Sequence, residues 1–201
     1  MFDAKLRLLI DPPLNWMGAA LARAGISANA VTFAGLALGL GAAAAIAFSQ
    51  FALGLALIAL SRIADGLDGA IARATHPTDL GGYFDITADF AFYVSIPLGF
   101  GIAAQENTLP ALVLVASFVL TGVSFLAFAV IAAKRGTETD AHGKKSFFYS
   151  TGLAEGAETI AIFAAMCLFP LAFPVLAYVF AGLCVLTVFQ RSAMAIAAFR
   201  D

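Results

Sequence analysis

Six long apolar runs separated by short polar breaks set the rhythm of the 201-residue chain: 29–49, 51–72, 82–104, 110–133, 152–171 and 174–195. Each supplies the roughly 20 mainly apolar residues that a helix needs to cross a bilayer. Three breaks are tight and carry turn chemistry: "SQF" around Ser49, "QENTLP" from Gln105 and "FPLAFP" from Phe169. Residues 1–24 follow a different pattern. Phe2, Leu6, Leu9 and Ile10 share one helical face opposite Asp3 and Lys5, and Trp16 follows, which predicts a short helix lying in the membrane interface. Asp11, Pro12 and Pro13 stop its apolar run far short of a signal-peptide core. The expected fold is all-α: an integral membrane bundle of six transmembrane helices over 29–195, preceded by a short N-terminal interfacial helix, in one domain covering 1–201. The one substantial loop, roughly 134–150, is polar and too short to be a domain.

Composition sharpens this picture. The chain is 62% hydrophobic and 12% charged, with a mean hydropathy of +0.94, against about 45–50% apolar residues in a soluble domain. A soluble protein of this length has too much surface to hide so many apolar side chains. The net charge of -2 selects no partner, and nucleic acid is not expected among them. All eleven basic residues fall on one side of the predicted topology: Lys5, Arg7, Arg23, Arg62, Arg73, Lys134, Arg135, Lys144, Lys145, Arg191 and Arg200. By the positive-inside bias that side faces the cytoplasm, which in a bacterium places the protein in the inner membrane. Cys167 and Cys184 lie inside apolar runs and read as small hydrophobes, with no disulfide or zinc framework. "GLALG", Gly35 to Gly39, is a small-xxx-small pattern that lets the first span approach a neighbour closely. That neighbour can be another span of the same chain or a second copy, so a homodimer stays open.

Against this oily background, the stretch "DGLDGAIARATHPTDLGGYFDITAD" holds five aspartates in twenty-five residues, Asp65 to Asp89. Carboxylates at membrane depth persist only where they meet water, a cation or a partner. Asp65 and Asp68 are three apart near the end of the second span, and Asp85 and Asp89 are four apart at the start of the third. Each pair shares a helical face. The turn from Ala74 to Leu80, broken by Pro77, folds the two faces together, while Asp79 reads as a helix cap and His76 as a surface residue of the turn. Four converging carboxylates need positive charge among them, and Arg73 alone is too little. Hard oxygen ligands without nearby His or Cys favour Mg²⁺, Mn²⁺ or Ca²⁺ over zinc. Two such ions can clamp a phosphate and activate a nucleophile. Gly66, Gly69, Ala70, Ala72, Gly81 and Gly82 leave room beside the acids for a bulky ligand to reach the backbone, and an arginine on that face suits phosphate.

At these residues the sequence resembles the CDP-alcohol phosphatidyltransferase family, whose signature reads D-x-x-D-G-x-x-A-R, a spacer, then G-x-x-x-D-x-x-x-D. Asp65, Asp68, Gly69, Ala72, Arg73, Gly81, Asp85 and Asp89 occupy its fixed positions. The spacer between Arg73 and Gly81 is seven residues, Ala74 to Leu80, where the family's is usually eight; choosing Gly82 would spoil the spacing to Asp85. "ISANAVT" before the first span also resembles a family feature, with Ala28 where Pro is common. The resemblance implies that Asp65, Asp68, Asp85 and Asp89 hold two divalent ions, Mg²⁺ or Mn²⁺. It implies that Asp68, Gly69, Ala72, Arg73 and Gly81 line the site of a CDP-linked lipid, with Asp89 as general base. The implied reaction is attack by an acceptor hydroxyl on the lipid-side phosphorus of CDP-diacylglycerol, releasing CMP. The active site would sit at the cytoplasmic ends of the second and third spans.

The acceptor is less legible. Glu155 and Glu158, three apart at the start of the fifth span, are candidates for binding acceptor hydroxyls, or acids favoured there by the helix dipole. Lys134, Arg135, Lys144 and Lys145 could receive the phosphate of glycerol phosphate or inositol phosphate, or serve topology and anionic lipid. Arg191, late in the sixth span, is a further candidate phosphate ligand. An alternative within the same chemistry is cardiolipin synthesis, with phosphatidylglycerol as acceptor. A different class, a small cation or proton transporter, would spread its polar groups across the midplane; here the outer turns carry only Glu106.

Overall fold

The computed structural model describes residues 2–136 and 153–200, with side chains from Ile10 onward, and their regular structure is helical throughout. Among the described residues seven α-helices follow one another: α1 (Phe2–Arg23), α2 (Ala28–Ala47), α3 (Phe51–Ala74), α4 (Asp79–Ala103), α5 (Thr108–Lys134), α6 (Gly156–Leu168) and α7 (Phe173–Phe199). Short 3₁₀ turns, Gln105–Asn107 and Pro170–Ala172, connect α4 to α5 and α6 to α7. Helices α2 to α7 coincide with the six apolar runs. Local chemistry starts two of them: the Ser27 hydroxyl accepts the Ala30 amide at 3.2 Å to cap α2, and the Thr78 hydroxyl accepts the Gly81 amide at 3.0 Å to cap α4.

Two expectations change. The N-terminal segment forms a helix longer than the short one expected, 22 residues that run through Pro12 and Pro13. The prolines remove two amide donors from the helix's hydrogen-bond ladder. The rest of α1 lies against α3: a Cβ on Gly18 would stand 2.6 Å from the Ala70 Cβ, and one on Gly66 would stand 2.7 Å from Leu14 Cδ1. Trp16 is 72% exposed. The fifth apolar run is also shorter as a helix than as a sequence. Helix α6 has 13 residues, about 20 Å at 1.5 Å per residue against a hydrocarbon core of about 30 Å.

Among the described residues, four helical stretches are long and apolar enough to cross a membrane: Ala28–Ala47, Asp79–Ala103, Gln105–Lys134 and Pro170–Phe199. Helix α3 has the length, at 24 residues, but carries Arg62, Asp65, Asp68 and Arg73. Large apolar side chains cover the outside, Leu171 being 97% exposed, as suits a surface against lipid. Inside, Phe92, Ile96 and Phe100 of α4 meet Leu114 and Phe118 of α5, Phe163 and Met166 of α6, and Phe173 and Phe180 of α7. Phe100 stacks on Phe173 with centroids 4.5 Å apart, and Phe163 meets both Phe92 and Phe118 edge-on at 5.9 Å. Cys167 and Cys184 are buried in this core.

The small-residue stripe of α2 packs within the chain. A Cβ on Gly35 would lie 3.1 Å from the Ala64 Cβ of α3, and one on Gly39 would lie 2.7 Å from Phe92 Cδ2 of α4. The stripe thus draws α3 and α4 onto α2, which sets the two acidic helix ends side by side.

Candidate functional site

Helix α3 ends and α4 begins on one side of the bundle, both packed on α2, and three of the acids meet there. One carboxylate oxygen from each of Asp65, Asp85 and Asp89 falls within 4.8 Å of the others. Asp68 does not join this trio. It is buried, 5% exposed, and its Oδ2 accepts the Thr32 hydroxyl of α2 at 2.6 Å. That hydroxyl also lies 3.1 Å from the Ala28 carbonyl, but its single proton favours the charged and closer acceptor.

A residue overlooked by sequence reasoning completes the trio. Arg62 of α3 places Nη1 2.7 Å from Asp89 Oδ1 and 3.5 Å from Asp65 Oδ1. Its Nη2 donates to the Ser61 hydroxyl at 3.3 Å, and that hydroxyl donates to the Gly35 carbonyl at 2.8 Å. Its guanidinium carbon stands 3.9 Å from the centre of the Phe92 ring. The available signal was position: an arginine three residues before Asp65, in the apolar body of a helix, requires a counter-charge.

The remaining motif residues frame the same end. Arg73 donates from Nη2 to Asn15 Oδ1 of α1 at 2.9 Å, and a Cβ on Gly69 would stand 3.2 Å from Arg73 Nη1. Gly69 thus clears the space that the Arg73 side chain crosses. Of the paired glycines, Gly81 is the confined one: its Cβ would lie 3.0 Å from Thr78 Oγ1 and 3.3 Å from Asn29 Oδ1, while one on Gly82 would meet nothing within 4 Å. Asp79 sits in the first turn of α4, and His76 is exposed. The donor set, carboxylate oxygens at close quarters on two rigid helices, fits a hard divalent cation.

The acceptor candidates separate. Glu155 and Arg191 line a cavity of about 150 Å³, walled by Phe90, Tyr93, Phe118 and Phe125 among others. Phe90 follows Asp89 in sequence and Tyr93 lies one helical turn beyond it, so this cavity adjoins the acidic cluster. Arg191 donates from Nη1 to the Thr121 carbonyl at 2.9 Å, which ties α7 to α5. Glu158 buries its Oε2 without a hydrogen-bond partner among the described residues. Arg135 instead donates to the Phe199 carbonyl at 2.9 Å and stacks over that ring, closing the ends of α5 and α7. Lys134 is exposed at the end of α5, and Lys144 and Lys145 lie outside the described residues.

Residues 26–197 match the CDP-alcohol phosphatidyltransferase family. The Escherichia coli inner membrane protein YnjF is 43% identical over 192 residues, covering 95% of this chain and 93% of that protein. The archaetidylinositol phosphate synthase of Pyrococcus horikoshii is 33% identical over 100 residues, 49% of this chain and 53% of its own length. The match therefore spans about half of that relative. Among solved structures, phosphatidylinositol phosphate synthase PgsA1 of Mycobacterium tuberculosis with CDP-DAG bound superposes with a TM-score of 0.66 at 21% identity, covering 91% of this chain and 93% of that one. The same enzyme with manganese and citrate gives 0.66 at 21% identity, covering 90% and 88%. At that identity the likeness is one of fold.

Proposed function

Because this chain belongs to the CDP-alcohol phosphatidyltransferase family, we propose that it transfers the phosphatidyl group of CDP-diacylglycerol to the hydroxyl of an acceptor such as glycerol phosphate or inositol phosphate, releasing CMP. The observation that carries this reading is the meeting of Asp65, Asp85 and Asp89 from two helices, with Asp68, Gly69, Ala72, Arg73 and Gly81 at the same end. In this reading the acidic cluster holds two divalent cations, Mg²⁺ or Mn²⁺. When bound, they neutralise the donor diphosphate, stabilise the leaving CMP and lower the acceptor hydroxyl's pKa.

The chain's own residues do the rest. Asp89 takes the proton of the acceptor hydroxyl as it attacks the lipid-side phosphorus. Arg73, held by Asn15 and given room by Gly69, meets the anionic donor. Asp68, fixed by Thr32, keeps the α2–α3 wall rigid and adds its charge to the cation site. Arg191 and Glu155 bind the acceptor in the cavity beside Asp89, the guanidinium taking an anionic group and the carboxylate a hydroxyl.

The same proposal places α2 to α7 as six membrane spans, with α3 and the short α6 sheltered by their neighbours, α1 in the interface and the site facing the cytoplasm. The relatives' names support it: one is an inner membrane protein, and others are phospholipid synthases. The test is CMP release by the purified protein in detergent, given CDP-diacylglycerol, Mn²⁺ and separate pools of candidate alcohols, beside Asp89→Asn. Release that needs one pool and Asp89 supports the transferase and identifies the acceptor class. Absence of release with every pool, from folded protein that binds Mn²⁺, rejects this donor.

A further inference from the structure

The transfer mechanism leaves unused the most deeply set guanidinium near the cluster. Arg62 lies eleven residues before Arg73 on α3, about 16 Å deeper along the helix. Its side chain is only 12% exposed. Burying a guanidinium is costly, and it cannot shed its charge to escape that cost.

Its surroundings are built to hold that charge. The Phe92 ring lies beneath it at 3.9 Å and Tyr93 at 5.9 Å. The Ser61 hydroxyl is oriented by the Gly35 carbonyl to accept from it. Asp89 and Asp65 face its Nη1 at 2.7 and 3.5 Å, while Nε is buried without a hydrogen-bond partner among the described residues. Three elements converge on this one group: α2 through Gly35, α3 through Ser61 and Asp65, and α4 through Asp89 and Phe92.

Two consequences follow. Asp89 already gives one carboxylate oxygen to a fixed donor, so its orientation is set before any ligand arrives. A permanent positive charge beside Asp65 and Asp89 also repels any further cation drawn to those carboxylates. We propose that Arg62 is a resident cation of the aspartate cluster: a positioning residue that aims Asp89 and holds down the affinity of the cluster for divalent metal. The aiming role rests on the transferase reading above, whereas the effect on metal affinity does not.

The experiment is a Mn²⁺ titration of the purified full-length protein without donor or acceptor, following free Mn²⁺ by electron paramagnetic resonance. Wild type is compared with Arg62→Met, which keeps the apolar stem over Phe92, and with Arg62→Lys, which keeps the charge. Arg62→Met is expected to bind Mn²⁺ on the order of tenfold more tightly, and Arg62→Lys to stay within about threefold of wild type. Saturating Mn²⁺ is also expected to raise the Tm of Arg62→Met by more degrees than that of wild type, because its carboxylates have lost their resident counter-charge. A purely structural arginine would lower both Tm values and leave the increment unchanged.

Unchanged or weaker Mn²⁺ binding by Arg62→Met overturns the proposal. If that variant does not survive purification, a tenfold change in Arg62→Lys overturns it equally. CMP release is measured on the same samples, and Arg62→Met is expected to turn over more slowly than wild type even with metal saturating. If wild type releases no CMP, the transferase reading fails while the Mn²⁺ result still stands or falls by itself.

Discussion

Asp89 carries the most demanding role at the site, since it accepts an Arg62 N–H at 2.7 Å and is also the proposed proton acceptor. Asp89→Asn preserves its shape and removes its charge, and CMP release should fall by about 10²–10⁴-fold, the usual worth of a positioned general base. Asp68 has a different environment. Thr32→Val leaves that buried carboxylate without its 2.6 Å partner, and should cost about 1–3 kcal/mol of stability, read as a lower Tm in detergent. The acidic motif was legible in the sequence because carboxylates three and four apart must share a helical face. The division of labour within it was not. Thr32 is 36 positions from Asp68, and the rotation of α2 against α3 decides that they meet. Arg62 was hidden in the same way, since its partner Asp89 comes from another helix.

Close helix contacts hold these side chains in place. A Cβ on Gly99 of α4 would stand 2.5 Å from the Ala43 carbonyl oxygen of α2 and 3.2 Å from Ala43 Cα, all backbone atoms that cannot swing aside. Gly99→Ala should therefore part α2 from α4 and cost about 1–3 kcal/mol. Gly182→Ala on α7, where a Cβ would meet nothing within 4 Å, should be neutral or slightly stabilising. A difference in Tm between the two variants checks the contrast, and equal values would refute it. Helix positions were readable from hydropathy alone for α2 to α5 and α7. Hydropathy misjudged α6, whose apolar run outlasts its helix, and understated α1, which is longer than the short helix expected.

Across the bundle as a whole, charge is segregated: the end of α3 and the start of α4 carry the acids and Arg73, while the α2–α3 and α4–α5 turns carry almost no charge. The proposed orientation places His76 in the cytoplasm and Glu106 outside. In otherwise native protein, His76→Cys and Glu106→Cys should react with a membrane-impermeant thiol reagent from opposite faces of a sealed vesicle. Cys167 and Cys184 are buried and give little background. Labelling of both positions from one face would reject the topology. Chelation of divalent metal should abolish CMP release, and added Mn²⁺ should restore it.

Membrane character, the all-helical structure of the described residues and a two-helix acidic site were already legible in local pattern, because hydropathy and helical periodicity act over neighbouring residues. Three other features depended on contacts between distant segments: the separation of Asp68 from the trio of Asp65, Asp85 and Asp89, the guanidinium of Arg62 set among them, and the aromatic cavity that joins Glu155 to Arg191. Each of these requires helices far apart in sequence to take one rotation and one depth relative to each other. Glycine and phenylalanine packing sets those quantities, and no single helix encodes them.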